Sequence, residues 1–236
     1  TCGDTKPGMD VLKEKIKEMI TAADIEEVCK ITSSVVKQAV GQLKARKSDV
    51  SGGYTSDALL NAPEIIHEHL AAIFRSWLIH GTVSHSILSC AFLPLLKSSQ
   101  KDPASTNSYR AIAGSSLILK VFEKTILLLW GKLLSSDSLQ FGYKATSSTT
   151  QASWLVHEVL THYLRQGSHP ICGLLDCSKA FDLAKWDKMF SQILLRKVPA
   201  IVARAMIYTY QEQYAWCRWG KEKSQIFPIV NGTRQG

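Results

Sequence analysis

Gly173-Leu174-Leu175-Asp176-Cys177-Ser178-Lys179-Ala180-Phe181-Asp182 is the stretch whose reading decides the fold. Residues 170–175 are nearly all apolar, the pattern of a short strand buried on both faces, and the run ends on Asp176. An acid at the end of a buried strand stands where solvent and substrate reach it. Asp182 follows six residues later, with Phe181 beside it, at the expected start of a helix. Two readings fit these residues. In one, Asp176 closes a strand and Asp182 sits in the first turn of a helix, where the dipole favours a carboxylate. In the other, Asp176 binds a divalent metal that holds a triphosphate, because Mg2+ takes one or two carboxylates together with phosphate oxygens and water.

Composition sets the limits around that stretch. With 236 residues, 45% hydrophobic and 20% charged, the chain can bury the core of one large or two small domains. The 28 Lys and Arg exceed the 20 Asp and Glu to leave +8, which points to polyanionic partners such as nucleic acid. Cys2, Cys29, Cys90, Cys172, Cys177 and Cys217 are scattered, with no secretory leader before them, and are expected to be reduced thiols. Cys172 and Cys177 make a poor zinc half-site. No apolar run reaches the roughly 18 to 20 residues of a membrane span, so a soluble, intracellular protein is expected. The chain starts at Thr1 and stops at Gly236 in a glycine-containing loop that has just left a strand, so it reads as an internal fragment.

Upstream, residues 10–46 carry apolar residues at helical spacing, among them Leu12, Ile16, Val28, Val36 and Val40, and read as two amphipathic helices. Residues 44–53 form a basic, Gly/Ser-rich loop: a boundary, and either a phosphate contact or simply solvated. A helix beginning at Asn61 or Pro63 and ending at His80 is expected to bury Ile65, Ile66, Leu70, Ile73, Phe74 and Trp77. Its His67 and His69 stand two apart and point away from each other, whereas the zinc protease pattern sets two histidines four apart.

Residues 87–96 read as a strand ending at Lys97, residues 101–108 as a polar turn, and residues 109–112 as a second strand. Lys97 and Arg110 therefore flank one hairpin-like connection. Two cations so placed suit a triphosphate, Arg gripping it in a bidentate way, and they also fit plain solvated charge. Residues 117–134 read as an apolar helix broken near Gly131. In residues 140–150, Ser148 or Thr149 can cap the next helix, while Tyr143 and Lys144 can touch a nucleic-acid backbone or stack on a base. That helix carries Ala152, Leu155, Val156, Val159, Leu160 and Tyr163 on one side.

Beyond the central stretch, residues 183–197 and 200–214 read as helices parted by Pro199, and residues 215–219 and 224–230 as strands around a hairpin. The closing Asn231-Gly232-Thr233-Arg234-Gln235-Gly236 either lets backbone approach a template or nucleotide, or makes a tight turn. No Walker-type loop, dinucleotide fingerprint, Cys/His zinc pattern or nucleophile elbow occurs.

Taken together, Asp176-Cys177-Ser178-Lys179-Ala180-Phe181-Asp182, Gln140-Phe141-Gly142-Tyr143-Lys144 with Ser148-Thr149-Thr150, Tyr109-Arg110-Ala111-Ile112 with Lys120-Val121-Phe122-Glu123-Lys124, and Gly232-Thr233-Arg234-Gln235-Gly236 resemble the reverse transcriptase of non-LTR (LINE-type) retrotransposons. The pieces stand in that family's order over residues 44–236. The resemblance implies an RNA-directed DNA polymerase, a nucleotidyltransferase that adds deoxynucleotides to a primer 3′-hydroxyl on an RNA template with two Mg2+ ions. It implies an α+β fold, the fingers and partial palm of a right-hand polymerase, with a small antiparallel sheet surrounded by helices. Residues 1–46 would be a helical linker, 47–169 the fingers and fingers/palm helices, and 170–236 a partial palm.

Residue by residue, Asp176 would be the catalytic, metal-binding aspartate and Phe181 the steric gate against a 2′-hydroxyl. Lys97, Arg110 and Gln235 would bind the nucleotide, and Tyr143, Lys144, Arg234 and Gly236 the template. Asp182 would be structural. Partners would be an RNA template, a DNA primer and deoxynucleoside triphosphates, in the cytoplasm and nucleus. Ala111 stands where the family commonly has proline. The family's second carboxylate motif, an aromatic-x-Asp-Asp hairpin, would lie downstream of Gly236, so the chain as given is expected to be inert. A non-catalytic nucleic-acid-binding remnant, a degenerate retroelement-derived protein and a group II intron maturase are the rival readings.

Overall fold

The computed structural model describes residues 6–144, 146–177 and 179–234. They divide into two compact units, Thr1–Leu134 with Lys179–Gly236, and Ser135–Ser178. The chain is mixed α and β: among the described residues there are nine α-helices and one small sheet of five strands.

The first unit begins with α1 (Lys6–Met19), α2 (Ala22–Val28) and α3 (Ser33–Gly41), three helices where the periodicity predicts two. The breaks are written in caps. Thr21 N–H donates to Asp24 Oδ2 at 3.0 Å at the start of α2, and Thr32 Oγ1 accepts from Val35 N–H at 3.3 Å at the start of α3. After the short α4 (Ser56–Leu60), α5 (Glu64–His80) ends at Gly81, whose left-handed φ of 68° is the usual helix stop. The buried stripe of α5 is His67, Leu70, Ala71, Phe74 and Leu78. The expected inward residues Ile65, Ile66 and Ile73 are exposed, because α5 is apolar almost all round and its phase is set by what it packs against, Phe122 of α6 (Leu117–Trp130) among them. Phe74, Trp77 and Phe122 meet in tilted and edge-to-face contacts with ring centroids 5.2 Å apart.

The expected hairpin forms. β1 (Ser89–Leu96) and β2 (Tyr109–Ser115) pair antiparallel, with Leu95 opposite Arg110 and Phe92 opposite Ala113. As expected, α6 ends beside Gly131, where the chain continues as a 3-10 turn, Gly131–Leu134.

In the second segment of this unit, α8 (Trp186–Leu195) and α9 (Ala200–Gln211) are parted at Pro199. The capping acid Asp24 also accepts the N–H of Ala200 at 2.8 Å, tying α2 to the start of α9. Met9, Leu12 and Ile16 of α1 share a core with Trp186 and Phe190, so the N-terminal helices pack into the same body as residues 179–234. β3 (Tyr214–Trp219) is followed by two-residue strands β4 (Glu222–Lys223) and β5 (Phe227–Pro228), in place of a continuous strand over 224–230. The strand order is β2-β1-β3-β4, with β5 also on β3. The sheet is mixed and not antiparallel throughout: β1 and β3 run parallel, Cys90 opposite Ala215, because they arrive from distant parts of the chain and no hairpin dictates their direction.

The second unit holds α7 (Thr149–Arg165). Ser148 and Gln151 form a reciprocal capping box, Ser148 N–H to Gln151 Oε1 at 2.8 Å and Gln151 N–H to Ser148 Oγ at 3.2 Å. The apolar side of α7 faces solvent, with Trp154, Val156, Val159 and Tyr163 exposed. Residues 170–177 also differ from expectation. They form no strand, and Ile171, Leu174 and Leu175 are exposed, the last fully. A strand exists only where another supplies ladder partners, and none of the described strands pairs with this run; Gly173 at its centre gives it no propensity of its own.

No described helix is long and apolar enough to cross a membrane. None of the five described cysteines is in a disulfide.

Candidate functional site

Three elements of the first unit meet around the loop after β5. The segment 179–183 is a turn held by Asp182 N–H to Lys179 O at 3.0 Å, with Lys179 in the left-handed region at φ 54°. Asp182 therefore precedes α8 by four residues and does not lie in its first turn as expected; its carboxylate is exposed. The return loop docks on this turn. Thr233 N–H donates to Phe181 O at 2.8 Å and Gly232 N–H to Ala184 O at 3.0 Å. Trp186 Nε1–H donates to Gly232 O at 2.7 Å.

Gly232 is required there twice over. Its φ of +82° is in the region that side chains avoid, and a Cβ would stand 2.7 Å from Phe181 O and 3.0 Å from the Asp182 Cα. The two stretches, about 50 residues apart, are thus joined backbone to backbone. A cleft of about 370 Å³ opens beside the joint, lined by Asp182, Gly232 and Arg234 together with Phe92 and Ala111 of the β1–β2 ribbon. Phe181, the neighbour of the lining residue Asp182, is half-buried.

Lys97 and Arg110 come together at the end of the ribbon. Lys97 N–H donates to Ser108 O at 2.9 Å, extending the ladder by one step beyond Leu96–Tyr109, so Lys97 and Arg110 share a face by alternation. Both are exposed, and Lys97 Nζ donates to Asn107 O at 2.8 Å. The same alternation turns Arg110 to the opposite face from Ala111, so the two cations and the Phe181–Gly232 joint are separate groups on this unit.

Arg234 faces inward and is ion-paired with Glu123 of α6. Burial works against its charge, but the Glu123 carboxylate, the Tyr210 phenol and the Cys90 thiol outweigh that and hold its pKa above the ordinary arginine value. Arg234, which the resemblance places at the template, has Glu123 as its ion-pair partner in this unit. Sequence reasoning missed this pair, since nothing local links positions 111 residues apart.

Asp176, Tyr143 and Lys144 belong to the second unit. Tyr143 is an exposed aromatic at φ 62°, an uncommon conformation for a side chain of that size. Lys144 Nζ donates to Asp137 O. Asp176 is exposed in the loop 168–177, and among the described residues no three His, Cys, Asp or Glu gather in a way that could hold a metal ion. One open carboxylate does not make a cage for a resident ion; it fits a Mg2+ that arrives already bound to phosphate oxygens. Gln235 and Gly236 lie outside the described residues. His67 is buried and His69 exposed on α5, on different sides of the helix as the spacing predicts.

A search of family models finds none that matches the chain.

Proposed function

We propose that this chain is the fingers and part of the palm of an RNA-directed DNA polymerase of the non-LTR retrotransposon type. The observation that carries the reading is the joint between residues 181–184 and 231–233. The resemblance asks both stretches to shape one nucleotide pocket, and they are hydrogen-bonded to each other beside an open cleft. Lys97 adds to it: its Nζ and that of Lys179, in the Phe181 turn, both donate to Asn107, so one cation of the ribbon tip stands beside that turn.

In this reading Phe181 limits the sugar to the deoxy form by occupying the space of a 2′-hydroxyl. The resemblance assigns Lys97 and Arg110, at the ribbon tip, to the triphosphate, Gln235 to the nucleotide, and Tyr143 and Lys144 to the template. Asp176 would hold a Mg2+ delivered with the nucleotide, which supplies charge neutralisation at the phosphates and lowers the pKa of the attacking hydroxyl. The reading assigns the described residues nucleotide and template binding.

The test is hydrogen exchange on the 236-residue chain with an RNA/DNA primer–template, dTTP and Mg2+. Amides of 179–186 and 231–234 are expected to slow only when dTTP is present, and Lys97→Ala should weaken that protection roughly ten-fold in dTTP concentration, the cost of one charge-assisted contact of about 1.5 kcal/mol. Binding of the duplex without any dTTP-dependent protection would leave the non-catalytic nucleic-acid-binding remnant as the better reading.

A further inference from the structure

The two faces of the sheet differ in what they meet. Phe92 and Ala111 line the cleft beside Gly232, so the residues that alternate with them, Leu93, Leu95, Arg110 and Ile112, look the other way. The register carries this second face across the whole path β2-β1-β3-β4. Ile112 lies opposite Leu93; Arg218, one step beyond the Phe92–Cys217 pair, stands next to Leu93; and Arg218 lies opposite Lys223. In the row on one side Trp216 stands beside Ala91, and in the row on the other Leu95 lies opposite Arg110.

The middle of this face is apolar and uncovered. Leu93 is 39% and Leu95 57% exposed, and Ile112 and Trp216 are half-buried, with Lys223 Nζ over the Trp216 ring at 5.9 Å from its centroid. The margins are cationic on both sides, with Arg110 on β2, and Arg218 and Lys223 on β3 and β4. All three are exposed, and none forms an ion pair among the described residues. No carboxylate belongs to these rows, because Glu222 lies opposite Trp219, which shares the face of Phe92. An apolar centre inside a charged rim is the layout of a protein interface.

The spacing of the rim sets the shape of the occupant. Arg110 and Lys223 stand three strands apart, about 14 Å at the usual strand spacing, and one α-helix with its side chains is about 10–12 Å wide. A helix laid along the strands would bring its two flanks against the two sets of cations. We infer that this face docks an amphipathic helix of a partner protein, with its apolar stripe on Leu93, Leu95, Ile112 and Trp216. Acidic residues on one flank meet Arg110, and those on the other meet Arg218 and Lys223. A second copy of this chain, with its net charge of +8, is a poor source of such a helix, and a mainly aliphatic centre gives nucleic-acid bases little to stack on. The inference rests on this sheet face alone and does not need the polymerase reading.

The test is fluorescence anisotropy of the 236-residue chain with a labelled helical peptide of about five turns, leucine at i, i+3 and i+4 spacing and glutamate on both flanks. It should bind with a Kd of roughly 10–100 μM, and a scrambled peptide of the same composition at least about ten-fold more weakly. R218E/K223E should weaken binding at least about ten-fold and L95S about five-fold. K15E/K188E makes the same charge change at exposed positions outside the face and should stay within about three-fold. Arg110, which the proposed function also uses, is left intact. The same peptide with lysine flanks should bind R218E/K223E more tightly than it binds the native chain, a gain that no folding defect produces. Equal binding of the scrambled peptide, or equal losses in R218E/K223E and K15E/K188E, would overturn the inference. So would a loss in R218E/K223E with none in L95S, since a contact blind to the apolar centre is a general anion surface of the kind a nucleic acid uses.

Discussion

At residue scale, Gly232 is where sequence and structure constrain each other most tightly. Its positive φ and the 2.7 Å approach to Phe181 O leave no room for a methyl group, and the listener on the other side is backbone, which cannot swing away. Gly232→Ala should therefore cost roughly 1–3 kcal/mol in urea unfolding and loosen the Phe181 turn. Gly220→Ala is the comparison: its φ is +59°, yet nothing lies within 4 Å of its Cβ position, so the cost should be smaller. Equal costs would mean that the joint between the two stretches is not formed. The sequence offered Gly232 as a tight turn or as an approach of backbone to a template or nucleotide; the close approach the structure shows is to Phe181, a contact only the arrival of a distant segment makes visible. Arg234 and Glu123 teach the same lesson, since a charge can be counted in a sequence while its partner cannot.

At the scale of elements, local signals were dependable and pairings were not. The β1–β2 hairpin, the end of α6 beside Gly131, the break between α8 and α9 at Pro199 and the cap at Ser148 are all fixed within a few residues of chain, and all are present. The run 170–175 has the apolarity of a buried strand but depends on a neighbour for its hydrogen bonds, and the phase of α5 depends on what it packs against. The loop after α3 was read as a boundary or a phosphate contact; its anchoring by Asp49 was not legible, because the acceptor serves a helix 68 residues away.

That anchor should be visible in the pH dependence of stability. Burial pushes the Asp49 carboxyl up, but Ser51, the Leu117 N–H and Tyr54 together hold it below the ordinary value. Its contribution is therefore complete above the unfolded aspartate pKa of about 4 and lost as pH falls through the lower folded value. Tyr54, pushed up to about 12 by burial and by the Asp49 charge, contributes below pH 10 or so and loses that as pH rises toward 12. Asp49→Asn should lower stability at pH 7 by roughly 1–3 kcal/mol and flatten the acid limb of a melting-temperature profile. An unchanged acid limb would mean that Asp49 does not hold the loop.

At the scale of the molecule, the first unit is built from two lengths of chain, before residue 134 and after residue 179, joined by the parallel β1–β3 pair and by α1 on α8 and α9. The cleft beside Gly232 exists only because both lengths contribute to it, β2 from one and the Phe181 turn and closing loop from the other. A cleft assembled in this way has no signature in any single stretch, which is why no one motif could place it. Its defining property in the proposed function is the choice of sugar at Phe181. The most direct measurement is the affinity of the chain, with primer–template and Mg2+, for dTTP and for UTP, in the native protein and in Phe181→Val. The account predicts that dTTP binds at least about ten-fold more tightly, and that the gap closes in the variant through a gain in UTP affinity. Equal affinities in the native protein, or a gap that Phe181→Val leaves untouched, would contradict it.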